Sequence, residues 1–219
     1  MNRLFDLVSP LFRRRRMSRF REALTPTAET SVLDIGGYPG NWRESGVRSP
    51  VTILNVHPVT YTPLSDDPPM STLVGDGCAL DFPDGSFDIV FSNSVIEHVG
   101  TWERQQAFAR QCRRVGHSLW VQTPARSFFM EPHLLTPFIH YLPKPLQRRL
   151  IRNFSVHGLL ARPTPGQVEE FLAEVRLLSL AEMRALFPDC EILREKFLGL
   201  TKSYIAVRQG ASASRPDLP

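Results

Sequence analysis

From residue 31 onward, short apolar runs alternate with amphipathic or polar stretches, and this alternation limits the possible folds more than any other feature of the chain. Residues 31–35 (SVLDI), 51–56 (VTILNV), 72–74, 87–91 (FDIVF) and 117–122 (HSLWVQ) read as five strands, with 191–197 and 203–207 as two more. Runs of this length, bounded by Gly, Pro or Asp, suit a parallel sheet covered on both faces. Between the fourth and fifth runs, residues 101–115 have helical spacing. Phe108, Cys112 and Val115 fall at i, i+4 and i+7, and Gly116 supplies the stop. Ser179-Leu-Ala-Glu182 is a capping box for a helix that Pro188 ends. Only residues 198–202 separate the last two strands, which implies an antiparallel hairpin. The expected fold is α/β, a doubly wound sheet with its last strand reversed.

Residues 124–165 break the alternation with seven prolines, five aromatics and three histidines. A segment this long inside a domain is functional or disordered, and its aromatic content favours a folded cap. Residues 167–178 follow with Val168, Phe171, Leu172 and Val175 at helical spacing, although 175–179 could equally be extended. The expected organisation is a basic N-terminal arm over 1–30 and one domain over 31–208. A cap insertion over 124–178 follows the fifth strand, and 209–219 form a disordered tail.

The chain has 219 residues and a formal net charge of +4. Seven arginines against three acids in residues 1–30 account for all of that excess, so the body is neutral. A nucleic-acid-binding protein would carry its basic face across the core domain, so nucleic acid is not an expected partner. No window reaches the ~18 apolar residues of a membrane span. The apolar stretch from Leu4 to Phe12 is broken by Asp6 and Pro10 and precedes its arginines, unlike a secretory signal. Cys78, Cys112 and Cys190 form no CxxC pair, which fits a reducing cytoplasm and small buried hydrophobes. The arginine-rich arm reads as a solvated basic face, as a lead-in helix packed over the active-site edge, or as a weak contact with an anionic membrane.

The strongest local motif is Val32-Leu-Asp-Ile-Gly-Gly-Tyr-Pro-Gly40, a strand ending in Asp34 and a glycine turn that opens a helix. Its D-x-G-x-x-x-G spacing is neither a P-loop nor a full GxGxxG fingerprint, and a tight turn alone could explain it. Three further strand ends carry polar groups: Asn55 after the second, Gly75-Asp76-Gly77 after the third, and Ser92-Asn93 after the fourth. Open α/β sheets bind ligands at the carboxyl edge of their strands, so four such ends together point to a cofactor site. Asp81, Asp84 and Asp88 read as turn and capping residues.

VLDIGGYPG, GDGCALDFPDGSFDIVFSNSVIEHV, the later helix and the terminal KSYIAVR resemble a class I S-adenosylmethionine-dependent methyltransferase, over residues 31–208. The likeness is closest to the small-molecule, type 11 branch. It implies a seven-stranded Rossmann-like sheet, S-adenosyl-L-methionine as cofactor and a small-molecule acceptor, with a sugar- or lipid-linked intermediate as the candidate. By resemblance, Asp34 with the backbone at Gly36, Gly37 and Gly40 holds the methionine part, and Asn55 meets the ribose. Asp76 accepts from the adenine amino group, Gly77 and Cys78 line the ring, and Asn93 borders the sulfonium. Two residues depart from the family pattern: Tyr38 replaces the middle glycine, and Asn55 replaces a carboxylate.

A hydroxyl acceptor requires a base, and Glu97, His98, Glu131 and His133 are the candidates. Capping or packing is the competing reading for Glu97-His98, and contact with substrate is the reading for Glu131-Pro-His133. His117 reads as structural. His57, His140 and His157 show no ligand spacing, so no metal is expected. Trp42 reads as packing the first helix or closing over the cofactor. Phe128, Phe129, Phe138 and Tyr141 are expected to form mainly the cap's own core. Tyr38 and Asn55 motivate the alternative of a catalytically degenerate methyltransferase fold that serves as a binding or scaffold protein. A nicotinamide-dependent dehydrogenase shares the topology but lacks its glycine fingerprint.

Overall fold

The computed structural model describes residues 3–43 and 45–210, with side chains from residue 14 onward. Expectations for the tail beyond residue 210 lie outside the described residues. Helix α1 (Arg3–Leu24) leads into β1 (Val32–Ile35), α2 (Gly40–Arg43), β2 (Val51–Asn55), β3 (Met70–Val74) and β4 (Phe87–Asn93). Helix α3 (Trp102–Val115) and β5 (Gly116–Pro124) follow. The cap contributes β6 (Met130–Glu131), β7 (Thr136–Pro137), α4 (Lys144–Phe154), α5 (Val156–Ala161) and α6 (Pro165–Glu174). Helix α7 (Leu180–Leu186), β8 (Glu191–Phe197) and β9 (Leu200–Arg208) close the described chain. All seven strands read from the apolar runs are present, several of them longer than the runs themselves. Their order in the sheet is β3-β2-β1-β4-β5-β9-β8, with the final strands antiparallel. Strands β1, β2, β3 and β4 are parallel, with Ile35 level with Leu54 and Ser92.

Two compact units divide the chain. The first runs through Asn93, includes Gln111–Val121 and resumes at Val207; the second comprises Ser94–Arg110 and Gln122–Ala206. In the first unit an aromatic cluster joins α1 to the sheet strands. Phe20 meets Trp42, Phe91 and Trp120 edge-on at centroid distances of 6.0, 5.1 and 5.7 Å, and all four rings are buried. Edge-on pairs add ~0.5–1.5 kcal/mol each beyond the area they bury. The end of α1 is therefore a core element, since Met17 and Arg16 are also buried, while Arg14 and Arg15 are exposed. Asp88 accepts from the Ser31 backbone N–H and hydroxyl at 2.8 and 2.7 Å, pinning the start of β1. Asp84 pairs with Arg114 at 2.8 Å. Both acids therefore make long-range contacts in place of the local turn and capping bonds expected of them.

In the second unit the cap is folded. Its core is aliphatic: Leu134, Ile139, Ile151, Val168 and Leu172. Phe128 is buried, but Phe138 and Tyr141 are 60% and 48% exposed, contrary to the expectation that the aromatics would fill this core. Val168 and Leu172 lie one turn apart on α6 and join Ile151 of α4 in this cluster, with Phe171 packed against it. Helix α5 approaches α4 so closely that a Cβ on Gly158 would lie 1.8 Å from the Ile151 carbonyl oxygen, so only glycine fits there. Capping boxes open α6 (Thr164, Gln167) and α7 (Ser179, Glu182). Between these helices the chain is extended and bridges at Leu178 to Ala125. His117 is exposed rather than buried at the start of β5, and Cys190 is only half-buried, whereas Cys78 and Cys112 are buried. Among the described residues, no helix is long and apolar enough to cross a membrane.

Candidate functional site

The carboxyl ends of β1 to β4 bring Asp34, Gly36, Asn55, Asp76 and Asn93 to one edge of the first unit, because the four strands run parallel in register. Gly36 takes a left-handed turn (φ 77°), and its N–H donates to the Leu54 carbonyl at 2.7 Å. At Gly37 a Cβ would stand 1.6 Å from Asp34 Oδ2, so the loop can lie over the carboxylate only as glycine. A Cβ at Gly40 would meet nothing within 4 Å. Tyr38, the departure from the family pattern, is 59% exposed.

Asp34 is completely buried. Trp42 Nε1 donates to its Oδ2 at 2.6 Å, whereas its Oδ1 has no hydrogen-bond partner. Burial pushes the carboxyl up to about 7, against the lowering effect of the Trp42 bond. A buried acceptor held by a neutral donor and lacking a second partner is a receptor for a cationic hydrogen-bond donor. Asn55 donates from Nδ2 to the Gly37 carbonyl at 2.7 Å. A carboxylate could not make that bond, so the second departure has a structural use: the amide holds the glycine loop and directs Oδ1 as an acceptor. Asp76 Oδ1 accepts from the Cys78 N–H at 2.9 Å and shapes its own turn, in which Gly77 and Cys78 are buried. Asn93 Oδ1 accepts from Arg16 Nη1 at 2.6 Å. The sequence did not disclose two of these partners. Trp42, for which the sequence suggests packing of the first helix or closure over the cofactor, is a donor to Asp34, and Arg16 of the basic arm reaches a residue 77 positions away.

The second unit gathers the other predicted residues. Glu97 and His98 lie on a 3-10 turn, Ile96–His98, and His133 follows β6 in the cap. One ligating atom each of Glu97, His98 and His133 lies within 4.8 Å of the others. The two imidazoles meet edge-on at 4.7 Å. His133 Nδ1 lies 2.7 Å from Glu131 Oε1, and Glu131 is buried and also accepts from the Leu134 N–H. His98 Nδ1 is 3.8 Å from Glu174 Oε1. Glu97 is fully buried and accepts from Thr123 Oγ1 at 2.9 Å. Burial, the charge on His133 and an opposing effect of Glu131 leave His98 lowered to about 4. Burial also pulls His133 down, but the Glu131 hydrogen bond and the neighbouring carboxylates outweigh it and raise the ring above its ordinary value. The pair therefore divides into a neutral and a protonatable imidazole. A cavity of about 250 Å³ beside Glu131 is lined by Arg126, His140, Lys144, Phe171 and Arg176 among others.

Residues 43–118 match the methyltransferase domain family. That segment includes Asn55, Asp76, Gly77, Cys78, Asn93, Glu97 and His98, and excludes the glycine loop and the cap. No curated protein matches the chain by sequence. Among solved structures, a Rhodobacter sphaeroides protein described as a zinc-dependent alcohol dehydrogenase is 16% identical, with 90% of each chain covered and a TM-score of 0.53. The N-terminal domain of EvdMO1, solved with SAH bound, is 17% identical over 91% of this chain and 81% of its own, with a TM-score of 0.51. A complex of the Haloferax volcanii Trm112 methyltransferase activator with a methyltransferase gives 15% identity, 89% coverage of each chain and a TM-score of 0.51. At such identities these likenesses speak of fold, whatever activity each description names. With its reversed final strand, the chain has the α/β fold of these solved structures, and the segment from α2 to β5, residues 43–118, matches the methyltransferase domain family.

Proposed function

We propose that the chain is an S-adenosylmethionine-dependent methyltransferase acting on a small molecule. The observation that carries this reading is Asp34, a fully buried carboxyl with an unpartnered Oδ1 at the end of β1, beneath a glycine loop. The ammonium of the cofactor's methionine part is the cationic donor that such an acceptor fits. Asn55 Oδ1 would accept from the ribose, Asp76 from the adenine amino group, and Gly77 and Cys78 would lie against the ring. Asn93, held by Arg16, would border the sulfonium. The cofactor supplies a methyl group made electrophilic by sulfonium, so the protein's tasks are alignment and exclusion of water. The SAH in the EvdMO1 domain supports the choice of cofactor.

A sugar- or lipid-linked acceptor fits the surface of the second unit. Helices α4 and α5 expose Leu146, Phe154, Leu159 and Leu160 beside the exposed Arg149, Arg152 and Arg162, an amphipathic surface suited to a lipid tail and an anionic headgroup. The exposed Arg14 and Arg15 of α1 are the residues through which the arm would make weak membrane contact.

Titration calorimetry with S-adenosylmethionine and its demethylated product tests the reading. Saturable binding that Asp34→Asn weakens, together with transfer of labelled methyl from the cofactor to an extract component, is the expected result. A degenerate binding protein is the second reading, favoured by the internal bonds that already engage Asp34, Asn55 and Asn93. Cofactor binding without transfer to any fraction would select it, and no binding at all would sink both.

A further inference from the structure

Glu97, His98 and His133 come from two separate stretches of the chain, and none of the roles assigned to the first unit uses them. Their ligating atoms lie within 4.8 Å of one another. Three donors around one zinc-sized ion, at ~2.0–2.2 Å from it, stand about 3.3 Å apart, so adjustments of about 1 Å in side-chain position close the set. The surrounding groups are arranged as they are around metal-bound histidines. Glu131 Oε1 holds His133 Nδ1 at 2.7 Å, and Glu174 Oε1 stands 3.8 Å from His98 Nδ1. In His133 Nε2 is thereby left as the nitrogen for a ligand, the carboxylate–histidine pairing that fixes the tautomer and raises ligand basicity, while Glu174 stands beside His98 at ion-pair distance only. Thr123 steadies the Glu97 carboxylate. Access exists as well: the His98 and His133 side chains are 33% and 24% exposed. All these groups belong to the second compact unit.

We infer that Glu97, His98 and His133 form a mononuclear site for a divalent transition-metal cation, with Glu131 and Glu174 as positioning residues. Two imidazoles and one carboxylate favour zinc, iron or cobalt over magnesium or calcium. Three protein donors leave at least one coordination position for water or an oxygen of a bound molecule, the arrangement of reactive rather than purely structural sites. The site departs from the expectation that no metal binds, because residues 98 and 133 have no recognisable ligand spacing. It does not depend on cofactor binding in the first unit.

The test uses the full chain, freed of metal by a chelator and titrated with zinc chloride by calorimetry and with cobalt chloride by visible absorption. One equivalent is expected to bind. Glu131→Gln is expected to weaken binding about 10–100-fold, and His98→Ala or His133→Ala by more, whereas His57→Ala and His157→Ala leave it unchanged. No binding by the wild-type chain would overturn the inference, as would equal binding by the His98→Ala/His133→Ala double variant. Should a variant fail to fold, X-ray absorption of the cobalt-loaded wild type decides. Imidazole scattering supports the site, and thiolate coordination refutes it.

Discussion

Each unit buries a carboxyl group next to a ring N–H, and the two rings differ in the property that matters. Asp34 faces Trp42, whose indole is a neutral donor that cannot take up or release a proton. Glu131 faces His133, whose imidazole can take up a proton and is held above its ordinary value by that bond against its burial. The first carboxyl is therefore pushed up to about 7 by its burial, poised to ionise when a cationic ligand arrives. The second has a titratable partner built in. An internal acid with a neutral partner is a receptor for a charge from outside, whereas one with a titratable partner orients that partner. The strand-end edge and the cap cluster are thus built on opposite electrostatic logic.

Four experiments would break or sharpen this contrast. The largest effect is expected from Trp42→Ala, which opens a cavity in the aromatic cluster and strips Asp34 of its donor. Stability by urea unfolding should fall by about 3–5 kcal/mol. Trp42→Phe isolates the bond, at about 1–3 kcal/mol; no loss there would mean that the donor is immaterial.

Second is the pH dependence of Asp34. Between pH 3.8 and about 7 the folded state retains a proton that the unfolded chain has released. Stability from this group should therefore decline as pH rises through that window and level off above it, by about 4 kcal/mol at most. Asp34→Asn should remove the slope in thermal or denaturant melts while weakening the cofactor. A cationic ligand favours the ionised form, so cofactor affinity should rise by up to about tenfold per pH unit below 7. A slope surviving in the Asn variant would assign it to other groups.

Third, Glu131→Gln leaves His133 without its charged acceptor and should cost about 1–3 kcal/mol. Its effect on the His133 ring, followed by NMR, should exceed any effect on cofactor binding, since the two groups serve different units. Smallest is Ser179→Ala, which removes the capping bond of α7 and should cost about 1 kcal/mol in unfolding. A larger loss would mean that α7 supports the second unit through more than its cap.

The sequence made the strands legible because apolar runs between turn residues are local signals. β1, β2, β4, β8 and the helix from Trp102 fall within a residue or two of their readings, and the capping box at Ser179 is where its spacing put it. The edge residues Asp34, Asn55, Asp76 and Asn93 were also legible, since parallel strands carry their C-terminal residues to one side. The partners of those residues were not. Trp42 has no special spacing relative to Asp34, and Arg16 sits in a run of arginines open to three readings (solvated face, packed lead-in helix, membrane contact), none of which singles it out. In the cap, Phe138 and Tyr141 looked like core by composition, yet α4 and α6 close over aliphatic residues instead.

The sequence by itself determined the α/β alternation, the reversed hairpin at the sheet's end, and the polar residues that end the parallel strands, because each depends on neighbours within a few positions. Only the tertiary structure decided that Asn55 spends its amide on the glycine loop, that α1 enters the core through Phe20, and that Glu97, His98 and His133 converge. Those outcomes depend on pairs tens of residues apart, and long-range pairing leaves no periodic trace along the chain. The physics that makes them matter is burial and long-range pairing: burial raises Asp34, and the Glu131 hydrogen bond with neighbouring carboxylates raises His133 against its burial, only once the chain has closed around them.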